Sequence, residues 1–345
     1  RSIIICAFVD DLLVCSSNQK LEETFIEGLR KHFKLTVDYE PTTYLSLQID
    51  RKKDDRWMKI HQTGYIQGMV NDYKMSNCHP RPVPFATLDV DTPANTVLDK
   101  SVPYQELLGK LIWCMKTRMD VAFHISLLCR YMTRYDKEVY RLAEKLLQYI
   151  YLKGTVDYGI VYDCSKLDRN VYGKGLELEF FVDSDWGGRK EDSKSTTGLV
   201  VHANGVPIFA ASRIQKRPAI STTEAEWNGV EIVAREVEWY RNFCVELSLE
   251  ITKPSTVWQD NSSTIRLTKD PVNPARTKYF RISQAYVRWC VMSEILVVKY
   301  LKSSDHPCDM LNKLTCKPSF DKHFPKVMGR QRQETTKDKN DDAVD

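Results

Sequence analysis

Leu176-Glu177-Leu178-Glu179-Phe180-Phe181-Val182-Asp183-Ser184-Asp185-Trp186 is the stretch on which the fold turns. Leu176, Leu178, Phe180 and Val182 alternate with Glu177, Glu179, Phe181 and Asp183. That two-residue period predicts a strand, and the strand runs straight into an acid. Downstream, residues 197–211 hold two β-like runs around Asn204-Gly205, a two-residue hairpin signal. A helix is expected from about 223 to 247, a short strand from Val257 to Asp260 and a short helix over 262–269. A helix over 282–293, a strand over 295–301 and a last short helix starting near 308 follow. Three strands, helix, strand, two helices, strand and helix make an α/β unit.

Four acids fall at telling places in that order. Asp183 lies near the end of the first strand, Asp260 ends the fourth, Asp309 opens the final helix and Glu226 sits in the first turn of the long helix. The long helix presents Val230, Val233, Val237, Cys244 and Leu247 to a core. Glu226 is four residues before Val230 and shares that inward face. Glu224 is rotated from it by about 200° and suits the helix dipole, with Thr223 as the cap. A carboxylate on an apolar face is costly unless it is paired or binds a cation. Such acids can converge at one sheet edge, where hard oxygen ligands suit Mg²⁺ and two ions can clamp a phosphodiester. Spacing alone leaves open a chance set, because the chain carries 46 acids. Asp185, two residues along on the same strand face, is a rival to Asp183.

Upstream, Ile3-Ile4-Ile5-Cys6-Ala7-Phe8 and Leu12 to Cys15 flank Val9-Asp10-Asp11, which predicts a hairpin with carboxylates at its turn. Asn18 is placed to cap a helix carrying Leu21, Phe25, Leu29 and Phe33. Strands are expected over 43–50 and 57–61, and a helix over 64–76. Pro80, Pro82 and Pro84, then 87–95, mark a linker. Residues 103–152 read as helical, with stripes at Leu107, Leu108, Leu111, Ile112 and Met115 and at Leu142, Leu146, Leu147 and Ile150. Residues 153–175 read as a polar boundary. The chain has 345 residues, 42% hydrophobic and 28% charged, which suggests two or three domains and argues against disorder throughout. No apolar run approaches the roughly 20 residues of a membrane span. The net charge of +4 neither demands nor excludes nucleic acid. Among ten cysteines none forms a CxxC pair. Cys6, Cys15, Cys114, Cys129, Cys244 and Cys290 sit in apolar runs and are expected to be buried free thiols of a reducing compartment. The first residue is Arg1 and the apolar run begins at once, so the chain reads as the C-terminal piece of something longer.

Phe8-Val9-Asp10-Asp11 resembles the YxDD palm motif of reverse transcriptases. Residues 62–76, Tyr104 to Asp120, and Leu152 to Thr155 with Asp157-Tyr158-Gly159 are similar to the stretch after the palm and the connection of copia-type LTR retrotransposons. Val182 to Gly188, Ser195 to Gly198, Ser221 to Trp227, Asp260 to Ser263 and Asp309 to Lys313 resemble the RNase H domain of the same polyproteins. The match runs in order from residue 1 to about 318. It implies an α/β and α+β multidomain chain. Residues 1–85 would be the remainder of a reverse transcriptase palm and thumb, and 86–170 a helical connection. Residues 171–318 would be an RNase H-like domain with a mixed sheet and helices, and 319–345 a polar, disordered tail.

By that resemblance Asp183, Glu226, Asp260 and Asp309 are the catalytic carboxylates, binding two Mg²⁺, with Mn²⁺ a substitute, and cutting the RNA strand of an RNA/DNA hybrid. Asp10 and Asp11 match two polymerase metal-site aspartates, whose third partner lies in an upstream motif. DNA polymerisation would therefore need the upstream part of the polyprotein. Arg213, Lys216, Arg217 and Thr222, and Arg276 with Lys278, are the expected contacts to the hybrid or a template-primer. No membrane is expected, and the family suggests the cytoplasm, a virus-like particle or the nucleus. Three departures stand out: Leu45-Ser46 for a usual Leu-Gly, Met119 for a usual Pro, and Tyr279-Phe280-Arg281 for a usual His-Ile-Asp. The alternative to an active enzyme is an inactive remnant or a co-opted binding scaffold. Trp227 and Trp258 are expected in the core, and His306 in a solvated loop.

Overall fold

A computed structural model describes residues 3–16, 18–79, 81–87, 98–151, 155–167, 175–269 and 281–331. The second half is built on a five-stranded sheet. Strands β7 (Leu178–Ser184), β8 (Thr196–Ala203) and β9 (Val206–Ile214) run antiparallel, and β10 (Ser255–Gln259) and β11 (Leu296–Tyr300) join β7 in parallel. The sheet order is β11-β10-β7-β8-β9. The element order is the one expected from the sequence. Asn204 and Gly205, at φ 50° and 77°, form the tight turn between β8 and β9.

Helix α6 (Thr222–Glu246) covers one face of the sheet. Trp227, Val230, Val233 and Val237 pack there with Phe180, Val182 and Val257. Helices α7 (Ser262–Lys269) and α8 (Arg281–Met292) follow β10 in the chain and lead to β11. The other face is equally buried. Phe181, Val200 and Ala210 belong to a core shared with α3 (Tyr104–Cys114), α4 (Ala122–Cys129) and α5 (Lys137–Tyr151). Phe181, the apolar residue at an outward position of the alternation, is thus explained by a sheet covered on both sides.

In the first half, β1 (Ile3–Phe8) and β2 (Asp11–Ser16) pair only with each other. Helix α1 (Gln19–Arg30) follows, capped by the Asn18 side chain on Leu21 N–H. β3 (Thr43–Tyr44), β4 (Leu47–Lys52) and β5 (Trp57–His61) form a second sheet, followed by α2 (Thr63–Asp72).

Four expectations are corrected. Gly159–Asp163, inside the expected polar boundary, is a strand, β6, antiparallel to β5. Its apolar run is only Ile160 and Val161, too short to register as a period in isolation. Gly159 is required there, since a Cβ would lie 2.2 Å from the Ile60 carbonyl oxygen. The tail expected to be disordered from 319 begins instead with a helix, α10 (Lys317–Met328), which buries Phe320, Val327 and Met328 in the shared core. Cys6 and Cys15 are exposed and Cys129 is half-buried. The two hairpin thiols are open because β1 and β2 belong to neither of the larger sheets. His306 is buried, not solvated, and its Nε2 lies 3.2 Å from the Trp258 carbonyl oxygen.

A buried polar knot stiffens the helical part. Arg118 and Asp120 are fully buried and form a two-pronged pair, Nε to Oδ1 at 3.0 Å and Nη2 to Oδ2 at 2.9 Å. Tyr149 Oη donates to Asp120 Oδ2 (2.8 Å), and Arg118 Nη1 donates to the Ile150 and Thr155 carbonyls. Every charge in the knot has a partner, which offsets the cost of burying it. Among the described residues no helix is long and apolar enough to cross a membrane.

Candidate metal centre

The parallel pairing of β7 with β10 brings two strand ends to one sheet edge, and the first turn of α6 lies over them. Asp183, Glu226 and Asp260 each place a carboxylate oxygen there, all within 4.8 Å of one another. Asp183 and Glu226 are buried and Asp260 is half-buried. Helix α6 approaches this closely because residue 229 is glycine. A Cβ there would stand 2.7 Å from Ser184 Oγ.

The helix start differs from the expectation. Ser221, not Thr223, is the cap, and its Oγ accepts from Glu224 N–H (3.2 Å). Glu224 Oε2 in return accepts from Ile220 N–H (2.9 Å). Ser221-Thr222-Thr223-Glu224 is a capping-box pattern, so this was readable from the sequence. Glu224 is spent on the cap, and Glu226 turns to the sheet.

Neighbouring amides hold the acids. Ser184 N–H and Gln259 Nε2 both donate to Glu226 Oε2 at 3.2 Å. Gln259 Oε1 accepts from Asp260 N–H (2.7 Å) and Asn261 N–H (3.0 Å). Asn312 Nδ2 donates to Asp183 Oδ2 (2.6 Å). Asn312 lies in α9 (Asp309–Asn312), which is seated against β8 at Gly198. A Cβ on Gly198 would be 2.8 Å from the Cys308 carbonyl oxygen.

Burial, then the charges of Asp183 and Asp260, push Glu226 up to about 10. Burial and like charge therefore both disfavour the ionised form of Glu226 at this edge. An all-oxygen donor set that resists its own charge fits a hard divalent cation. Asp185 and Asp309 are not among the three that meet. Burial pushes Asp185 up to about 6, against the pull of Thr196 N–H and Arg130, and its carboxylate accepts from Thr196 N–H. Asp309 is ion-paired with Lys313 at 2.6 Å.

Residues 1–87 match the reverse transcriptase (RNA-dependent DNA polymerase) family. The chain is 27% identical over 329 residues to the retrovirus-related Pol polyprotein from transposon RE1 of Arabidopsis thaliana, covering 95% of this chain. It is 29% identical over 327 residues to that from transposon TNT 1-94 of Nicotiana tabacum, covering 92%. Over most of its length the chain is similar to retrovirus-related Pol polyproteins of transposons. It spans 22% and 24% of the length of those two polyproteins. Among solved structures, LC11-RNase H1 in complex with an RNA/DNA hybrid is 14% identical, with a TM-score of 0.31 over 40% of this chain and 96% of that one. Prototype foamy virus protease-reverse transcriptase is 11% identical, with a TM-score of 0.28 over 57% and 27%.

The remaining site candidates fall in several places. Asp10 and Asp11 sit at the exposed turn of the β1–β2 hairpin, and no third acid joins them among the described residues. Arg213 is ion-paired with Glu236 at 2.5 Å. Lys216, Arg217 and Thr222 are exposed in the loop before α6 and its first turn. Arg276 and Lys278 lie outside the described residues, as do Tyr279 and Phe280. Sequence reasoning missed Gln259, Asn312 and Lys313. Gln259 directly precedes Asp260, and Asn312 and Lys313 follow Asp309 by three and four residues, the spacing at which side chains meet on a helix.

Proposed function

We propose that residues 171–318 form a ribonuclease H that hydrolyses the RNA strand of RNA/DNA hybrids with Mg²⁺. The observation that carries this reading is the gathering of Asp183, Glu226 and Asp260 within 4.8 Å at one sheet edge. Divalent magnesium, when bound, supplies activation of a water and stabilisation of the leaving 3′ oxygen. The chain's own part is to hold and orient. Asp183, Glu226 and Asp260 supply the oxygens, while Gln259 and Asn312 lock two of those carboxylates in place. Lys216 and Arg217, exposed before the α6 N-terminus, are placed to take backbone phosphates, and the hybrid's 2′-OH groups mark the strand to be cut. Asp309 belongs to the same centre in this reading. In the same reading residues 1–87, with Asp10 and Asp11, take part in DNA polymerisation.

The test is Mg²⁺-dependent cleavage of a labelled RNA/DNA hybrid by the full chain, wild type beside Asp260→Asn. The full chain is needed because one sheet face is covered by α3–α5 and α10. Cleavage lost in the variant supports the reading. A folded wild type that cuts no hybrid overturns it in favour of an inactive remnant or binding scaffold.

A further inference from the structure

Asp309 and Lys313 are joined at 2.6 Å, and the pair is not an ordinary salt bridge along a helix face. Helix α9 ends at Asn312. Lys313 is already extended, at φ −144° and ψ 162°, so its side chain has turned back to reach Asp309. The Asp309 side chain is only 14% exposed and that of Lys313 47%. The neighbouring residue Asn312 donates to Asp183 of the three-acid group, so the same short segment delivers an amide and an ammonium to one acidic edge. The one acid of the four that stands outside the group of three is thus the one already holding a cation belonging to the chain.

We propose that Lys313 is a tethered counter-cation that competes with a second divalent ion for Asp309. One ion is taken by Asp183, Glu226 and Asp260 with Lys313 in place. A second ion at Asp309 enters only by displacing the ammonium, so the second step is weak and steeply dependent on metal concentration. Loading of the second ion, and with it the onset of hydrolysis, is then set by a side chain and not only by the acids. This inference rests on the metal-centre reading above.

Calorimetric titration of the full chain with MnCl₂ separates the two, using wild type, Lys313→Gln, Lys313→Arg and Asp309→Asn, each checked for folding by circular dichroism. The expected wild-type result is one tighter and one weaker ion. Removing a like charge from beside the second ion tightens the weaker step by about ten-fold or more in Lys313→Gln. Lys313→Arg keeps the charge and stays near wild type, while Asp309→Asn loses the weaker step. Identical isotherms for wild type and Lys313→Gln overturn the role of Lys313 and leave the metal centre standing. A folded wild type that binds no Mn²⁺ overturns both.

Discussion

Replacing Glu226 with glutamine removes a proton-binding group from the most crowded point of the acidic edge, and its effect on stability has a calculable size and sign. In the metal-free protein, burial and the neighbouring Asp183 and Asp260 push Glu226 from its ordinary 4.5 up to about 10. Below pH 4.5 the carboxyl is protonated in both folded and unfolded chains, and its raised pKa costs no stability. Between 4.5 and about 10 the folded chain holds a proton that the unfolded chain releases, so stability falls as pH rises. At pH 7 the gap from the unfolded value is 2.5 pH units, worth about 3 kcal/mol. The glutamine side chain does not titrate and has no such slope. In the presence of a chelator, Glu226→Gln is therefore expected to be more stable than wild type by about 3 kcal/mol at pH 7, with the gap closing towards about pH 5. Urea unfolding followed by tryptophan fluorescence across that range measures the difference directly, since Trp227 is buried beside the site. Added Mg²⁺ should stabilise wild type and leave the variant unchanged. Parallel pH profiles for the two metal-free proteins would refute the idea that Glu226 carries the strain of the cluster.

Gly198→Val forces a side chain into the Cys308 carbonyl oxygen and Leu311 Cβ, 2.8 and 3.0 Å from the added Cβ. Thermal unfolding should show a loss of about 1–3 kcal/mol, and Mn²⁺ titration a weakened site as α9 is displaced. Asn312→Ala frees the Asp183 carboxylate from its amide clamp, and calorimetry should read a drop in Mn²⁺ affinity of about 10- to 100-fold. Unchanged affinity would mean that Asp183 is oriented by the strand alone. Arg118→Met leaves the Asp120 carboxylate buried with Tyr149 as its only remaining hydrogen-bond partner of the knot, and chemical denaturation should show a cost of about 3–5 kcal/mol. A loss under about 1 kcal/mol, on the scale of an exposed pair, would show that water reaches the knot.

Much of the second half is legible in local patterns of the chain. Alternation at Leu176–Val182, the Asn204-Gly205 turn and the long α6 stripe are such signals, since side-chain period follows directly from backbone geometry. The same logic turned Glu226 inward, because its phase relative to Val230 is a property of one helix. Failures came where a partner distant in sequence decided the outcome. Gly159–Asp163 is a strand because β5 offers it an edge, and α10 is ordered because Phe320, Val327 and Met328 find a core built by other helices. His306 is buried by contact with the Trp258 strand, and Cys6 and Cys15 are exposed because their hairpin joins neither larger sheet.

What the sequence determined by itself is the order of elements, the family resemblance and the identity of the acids. Only the tertiary structure decided which acids meet. Parallel pairing of β7 and β10 carries Asp183 and Asp260 to one edge across a long stretch of chain, and a glycine at 229 lets α6 bring Glu226 between them. The same packing leaves Asp309 paired with Lys313 and sets Gln259 and Asn312 as clamps on Glu226 and Asp183. Distances of a few ångströms between residues far apart in sequence are a product of packing, and no local periodicity encodes them.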